Sequence, residues 1–220
     1  MRLVLASNNA KKLKELQVLF APLGLDLITQ GTLGIPEAEE PHITFVENAL
    51  AKARHAAQHA DGPAISDDSG LCVDALGGAP GVISANFASL DAATLASPSA
   101  KSGESLSREA VRALQDAANN RLLLERLQGV PDRRARYVSA LVAVRSADDP
   151  EPLIAFGRWN GEILSAARGD AGFGYDPLMF IPQMSRAVGE LSSEAKNLHS
   201  HRAIAAQQML ALMREVWHLE

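Results

Sequence analysis

Two adjacent carboxylates hold the greatest chemical potential in the chain. Asp67 and Asp68 close the apolar run Pro63-Ala64-Ile65 and are followed by Ser69 and Gly70. Taking two acids out of water is costly unless something compensates. The pair therefore belongs at the end of a strand, facing a cleft, with the glycine letting the chain turn. A hard divalent cation such as Mg²⁺ is the natural compensation, because it prefers carboxylate oxygen. A carboxylate beside such a cation can orient or deprotonate a water molecule. The other reading is an Asx turn that only closes a strand. Neighbours on a regular strand point to opposite sides, so one of the two acids faces the metal and the other serves a second ion or a turn.

Three further groups carry possible chemistry. The loop Ser7-Asn8-Asn9-Ala10-Lys11-Lys12 lies between an apolar run and a helical pattern. A helix N-terminus attracts anions through its N–H groups, and lysines in its first turn oppose the helix dipole unless an anion lies between them. The loop has no glycine, which separates it from the Walker phosphate loop. Gly172-Phe173-Gly174-Tyr175-Asp176-Pro177 offers exposed aromatic rings between glycines, suited to stacking on a flat ring, with Asp176 as an acceptor; an aromatic β-turn explains it equally well. His201 and Arg202 again put positive charge into the first turn of a helix. His55 and His59 have i, i+4 spacing but no acidic partner in register, and read as surface residues.

The elements that must carry these groups follow from periodicity. Arg2 to Ala6 reads as a buried strand, Leu13, Leu16 and Phe20 as one face of a helix, and Leu25 to Thr29 as a second strand. That is a βαβ opening, which implies parallel pairing. Glu37, Glu39 and Glu40 lie in a loop marked by Gly34, Pro36 and Pro41. Thr44-x-x-Glu47 fits a capping box and opens a helix to about Ala60, with Val46, Leu50, Ala53 and Ala57 inward and Lys52 and Arg54 toward solvent. Arg108 to Leu127 is helical, with a possible break at Asn119-Asn120. Ala135 to Val144, Leu153 to Trp159 and Glu162 to Ala166 read as an antiparallel meander with a tight turn at Asn160-Gly161. Leu178 to Ile181 is a further strand, a short helix carries Lys196, and Ile204, Leu210, Met213 and Trp217 form the core stripe of the last helix. Ser97 to Ser105, rich in alanine and serine, reads as an exposed insertion-like loop.

Composition narrows the class. The chain has 220 residues, 47% hydrophobic and 21% charged, as in ordinary globular proteins. A net charge of −5 disfavours nucleic acid as a partner. The single cysteine, Cys72, sits in an apolar run, excludes an internal disulfide and fits a reducing cytoplasm. No apolar run is long enough for a membrane span. The expectation is one α/β domain over residues 1–220, in which a βαβ half and a meander half form two lobes with a ligand cleft between them.

In order along the chain, Ser7-Asn8-Asn9-Ala10-Lys11-Lys12, Phe45-x-Glu47-Asn48-Ala49-x-x-Lys52-Ala53, Asp67-Asp68-Ser69-Gly70-Leu71, Gly77-Gly78-Ala79-Pro80-Gly81, Gly172-Phe173-Gly174-Tyr175-Asp176-Pro177 and Ser200-His201-Arg202 resemble the inosine triphosphate pyrophosphatase family. The first loop departs from it by carrying Ser7-Asn8 where many relatives have Thr-Gly. The resemblance implies two lobes around a long mixed β-sheet flanked by helices, with the active cleft between the lobes, in a homodimeric, Mg²⁺-dependent enzyme that hydrolyses the purine triphosphates ITP, dITP and XTP to monophosphate and pyrophosphate. It implies that Ser7, Asn8, Asn9, Ala10, Lys11 and Lys12 hold the triphosphate, and that Asp68 is general base and metal ligand. Glu39 or Glu40 completes the metal site, Ser69 contacts substrate, and Phe173, Gly174, Tyr175, Asp176, Lys196, His201 and Arg202 form the base pocket.

Other classes fit less well. A phosphatase of the haloacid dehalogenase type needs Asp-x-Asp after its first strand, and Leu5-Ala6-Ser7 offers no acid. A non-catalytic nucleotide sensor could use the same loops, and steady turnover with Mg²⁺ separates it.

Overall fold

The computed structural model describes residues 1–89 and 107–219. In chain order the elements are β1 (Arg2–Leu5), α1 (Ala10–Phe20), β2 (Asp26–Thr29), α2 (Phe45–Ala60), β3 (Ala64–Val73), α3 (Arg108–Arg126), β4 (Arg134–Val144), β5 (Leu153–Ile163), β6 (Met179–Ile181), β7 (Arg186–Ala187), α4 (Ser193–His199) and α5 (His201–Val216). The strands form one seven-stranded mixed sheet in the order β2-β1-β3-β4-β5-β6-β7. β1 runs parallel to both β2 and β3, as the βαβ opening requires, while β6 is antiparallel to β5 and β7. The Ser97 to Ser105 stretch lies outside the described residues.

The chain divides into two compact units, one of Met1–Ser69, Tyr137–Trp159 and Glu194–Glu220, the other of Gly70–Arg136 and Asn160–Ser193. In the first unit strand alternation sorts the core onto two faces of the sheet. Leu3, Leu5, Ile65, Leu141, Ala143, Leu153 and Ala155 pack with Leu16 and Phe20 of α1 and with Ala205, Ala206, Met209 and Met213 of α5. Val4, Ala6, Ala64, Ala140, Val142 and Val144 pack with Ala49, Ala53, Ala56 and Ala57 of α2. Odd-numbered positions of β3 and β4 thus meet α1 and α5, and even-numbered positions meet α2. Gly157 of β5 takes this packing to its limit: a Cβ there would lie 1.7 Å from the His201 carbonyl oxygen.

In the second unit, α3 is tied to its neighbours by amide side chains. Asn119 is buried; its Nδ2 donates to the Ser84 and Ala85 carbonyls and its Oδ1 accepts from the Ala88 N–H. These partners let the helix run through Asn119-Asn120 without the expected break. Asn160-Gly161 likewise makes no turn, since β5 continues to Ile163. A Cβ at Gly161 would sit 2.2 Å from the Phe180 carbonyl oxygen, so the glycine serves the close approach of β6. Cys72 is buried, as expected of a core residue.

β3 differs most from expectation. It does not end at the acids but continues through Asp67, Asp68, Ser69 and Gly70 to Val73. A strand can carry two buried carboxylates when cations meet them on both faces.

Candidate active site

Strand alternation sends Asp67 toward α1 and α5. It is 1% exposed. Its Oδ1 accepts from the Ser139 hydroxyl of β4 at 2.7 Å. Its Oδ2 accepts from Arg202 Nε at 3.1 Å and Nη2 at 2.9 Å, and from the Ser69 hydroxyl at 3.0 Å. Lys12 Nζ of α1 lies 3.0 Å from the same oxygen. Burial pushes the Asp67 carboxyl up, but Arg202, Lys12 and Ser139 together overturn that and hold it well below the usual carboxylate range. The guanidinium of Arg202, itself buried, also contacts Glu15 of α1 and donates to the Ser69 hydroxyl at 2.9 Å. Burial opposes its charge, yet Asp67 and Glu15 prevail and raise its pKa. Glu15 reaches Lys196 Nζ of α4 at 3.6 Å.

Asp68, one residue on, points the other way and meets α2. Its Oδ1 accepts from Lys52 Nζ at 2.8 Å, and the same ammonium donates to Glu40 Oε1 at 3.0 Å. The other oxygen of Asp68, Oδ2, is buried and has no hydrogen-bond partner among the described residues. Burial raises the Asp68 pKa above the ordinary value, with Glu40 adding to the rise and Lys52 opposing it. Lys52 is held charged: burial lowers its pKa, but Asp68 and Glu40 outweigh this and raise it. For Lys12, by contrast, burial dominates and lowers the pKa despite Asp67.

Lys52 corrects the expectation that placed it toward solvent; it is 8% exposed. Its signal was available, for it stands among Asn48, Ala49, Ala53 and Ala56 on the inward stripe of α2. A long lysine stem can lie along an apolar face and deliver its charge at the rim.

The first loop is organised by Asn9, whose Oδ1 caps α1 by accepting from the Lys11 and Lys12 N–H groups at 3.0 and 3.2 Å. The Ser7 hydroxyl accepts from the Asn9 N–H, and Asn8 Nδ2 donates to Glu37 Oε1. Ser7, Lys12, Lys52, Asp67, Glu37 and Glu40 share the wall of one cavity of about 130 Å³. Neither Glu39 nor Asp68 is part of that lining, but Asp68 meets Glu40 through Lys52. Three carboxylates, two ammonium groups and a capped helix start around one small cavity suit a phosphate chain with a divalent cation. Among the described residues no three His, Cys, Asp or Glu side chains gather to hold a metal by themselves. Asp68 and Glu40 are the acids that meet at Lys52, while Asp67 is taken by Arg202 and Lys12 and Glu37 by Asn8.

A model of the Ham1 family matches residues 3–212. The chain belongs to the Ham1 family. Two relatives named dITP/XTP pyrophosphatase are close in sequence: that of Leptothrix cholodnii is 65% identical over 100% of both chains, and that of Methylibium petroleiphilum 68% over 99% of each. A HAM1 protein from Coxiella burnetii has a structure matching 98% of this chain and 100% of its own, with a TM-score of 0.81 and 38% identity.

The Ham1 chain brings together Ser7, Lys12, Asp67, Glu40 and the sequence-missed Lys52, and links Ser69, Arg202 and Lys196 through Asp67 and Glu15. His201 is buried, stacked on Tyr137 with ring centroids 4.8 Å apart, and its pKa is driven well below the ordinary value by burial and by Arg202. Phe173 to Asp176 belong to the second unit. Tyr175 is not the exposed ring expected there: it is 4% exposed and its hydroxyl donates to the Ser84 carbonyl. Asp176 braces its own turn, accepting from the Phe173 N–H at 3.0 Å. Glu15 and Ser139 gave no motif in the sequence; each is recognisable only from what faces it.

Proposed function

We propose that this chain is a Mg²⁺-dependent pyrophosphatase that cleaves the non-canonical purine nucleoside triphosphates ITP, dITP and XTP to the monophosphate and pyrophosphate. The observation that carries the reading is Asp68, with one oxygen fixed by Lys52 and the other buried without a partner beside Glu40. The relatives' name, dITP/XTP pyrophosphatase, supports the substrate class.

The donor set fits Mg²⁺, which commonly takes one or two protein carboxylates and completes its shell with substrate phosphates and water. Asp68 and Glu40, which share the Lys52 ammonium, would hold it. When bound, the ion neutralises charge on the phosphate oxygens. The free oxygen of Asp68 would hold the attacking water and accept its proton. Lys12 and Lys52 stabilise the charge that gathers on the phosphoryl oxygens as the pyrophosphate leaves. Ser7, Asn8 and Lys11 would contact the triphosphate, while Asn9 fixes the helix start that presents them. Lys196 and Arg202 can only donate hydrogen bonds, which suits the 6-carbonyl of inosine and xanthine and disfavours adenine. The commitment of Arg202 to Asp67, Ser69 and Glu15 shifts the weight of that contact to Lys196. The cytosolic setting and the homodimer implied by the resemblance go with this reading, and light scattering tests the dimer.

The decisive experiment measures pyrophosphate release across a panel of nucleoside triphosphates with and without Mg²⁺. Release from ITP and XTP, weak release from ATP and loss of both without metal are expected; a chain that binds nucleotides without turnover would refute the reading.

A further inference from the structure

The loop that carries Glu40 has no regular secondary structure from Ile35 to Ile43, yet Glu40 meets Lys52 within hydrogen-bond distance. Something must hold that loop in register. The strongest tie is Asn48, in the first full turn of α2 and 1% exposed. Its Oδ1 accepts from the His42 N–H at 3.0 Å and its Nδ2 donates to the His42 carbonyl at 3.1 Å. One amide side chain thus satisfies both backbone groups of one residue, as a neighbouring strand would. His42 is separated from Glu40 only by Pro41, whose ring fixes φ and leaves little freedom between the two. Lys52, the recipient of the Glu40 carboxylate, lies four residues after Asn48, on the same face of the same helix. A second, exposed tie has the same origin: His55 Nε2 meets the Pro36 carbonyl at 3.0 Å.

We propose that Asn48 is a positioning residue for the metal site, holding Glu40 against Lys52 and Asp68 by clamping the backbone of His42. The inference rests on the proposed function, because it assigns Glu40 to the bound cation. Helix α2 then carries both the clamp and the cation that receives the clamped acid, so the distance from Glu40 to Asp68 is set by one rigid turn. An outer-shell partner of this kind typically changes metal affinity by about 10- to 100-fold when it is removed.

The test compares Asn48→Ala, Asn48→Asp, Glu40→Gln and the double variant Asn48→Ala/Glu40→Gln. Asn48→Asp keeps the size and the acceptor but loses the donor to the His42 carbonyl. Two quantities are read: the Mg²⁺ concentration giving half-maximal ITP hydrolysis, and the dissociation constant of Mn²⁺ from the protein by electron paramagnetic resonance without nucleotide. Both should rise roughly 10-fold in Asn48→Ala and Asn48→Asp. The double variant should be no worse than Glu40→Gln alone, since the clamp acts only through that carboxylate. Amide exchange at His42 should quicken in Asn48→Ala while the β4 amides keep their protection. Unchanged metal constants in Asn48→Ala, or full additivity with Glu40→Gln, would overturn the positioning role while wild-type ITP turnover left the proposed function standing. If the wild type released no pyrophosphate, the proposed function would fall, and the Mn²⁺ constants and the double-variant comparison would still decide for or against the clamp.

Discussion

Asp67 and Asp68 are neighbours in sequence with opposite duties, and that contrast can be measured. Asp67→Ala removes the acceptor of Ser139, Ser69, Arg202 and Lys12 at one stroke. It leaves a guanidinium that is 2% exposed with only Glu15 as a charged partner among the described residues. Breaking a buried pair in this way costs about 3–5 kcal/mol, because the surviving charge stays buried. For a chain of this size about 1 kcal/mol moves the melting temperature by roughly 2–4 °C, so a fall of about 6–20 °C is expected. Asp68→Asn is different. The amide oxygen can still accept from Lys52, Lys52 keeps Glu40, and the oxygen that lacked a partner becomes an NH2 group of the same size. Its melting point should stay within a few degrees of wild type, while kcat falls at least ~10²-fold through loss of the base. The assay is a thermal melt by circular dichroism beside ITP turnover. Acid adds a second check. The folded pKa of Asp67 is depressed, so its stabilisation is present above the unfolded carboxylate pKa and is lost as pH falls through the folded value. The melting-point gap between wild type and Asp67→Asn should therefore be wide at pH 7 and close in strong acid. An Asp68→Asn protein that melts as low as Asp67→Ala would refute the division of labour.

Three further outcomes are expected. Lys52→Met removes the group that opposes the rise in the Asp68 pKa, so the acidic limb of kcat against pH should move upward and kcat should drop ~10²-fold; a limb that stays in place argues against Asp68 as the base. Lys12→Ala should weaken a triphosphate at least ~10-fold more than the corresponding monophosphate in titration calorimetry, and equal weakening would remove Lys12 from the phosphate chain. Gly157→Ala drives a methyl group onto the His201 carbonyl, and should cost roughly 3 kcal/mol in urea unfolding unless β5 and α5 can part.

Much of this site was readable from residue types. The acids, the lysine loop and Arg202 each broke a local rule: charge where burial was expected, or positive charge at a helix start. The opening βαβ unit followed from periodicity, and the alternation of Asp67 and Asp68 from strand geometry alone. What escaped was whatever depends on the partner across space. β3 was expected to stop at its acids because no sequence rule announces that Lys12, Arg202 and Lys52 converge from three helices. Lys52 looked solvated because charge usually is, although its alanine neighbours pointed inward. Gly161 imitated a turn signal, while its missing side chain serves the close approach of Phe180. Tyr175 resembled a stacking platform, and only the Ser84 carbonyl reveals it as core.

The alanines of α2 and α5 act as gauges. Ala49, Ala53, Ala56 and Ala57 on one side of the sheet, and Ala205 and Ala206 on the other, are buried where many helices would carry leucine. A small contact residue brings a helix axis nearer the sheet. Lysine and arginine stems have fixed lengths, so the thickness of the alanine layer decides whether Lys52 arrives at Asp68 and Arg202 at Asp67, or each falls short. Enlarging Ala53 would lengthen that span by about the width of a methyl group, enough to stretch a hydrogen bond beyond its useful range. Variation at these plain positions would then register in turnover sooner than in folding, and a library screened only for stability would pass variants whose cations no longer touch their acids.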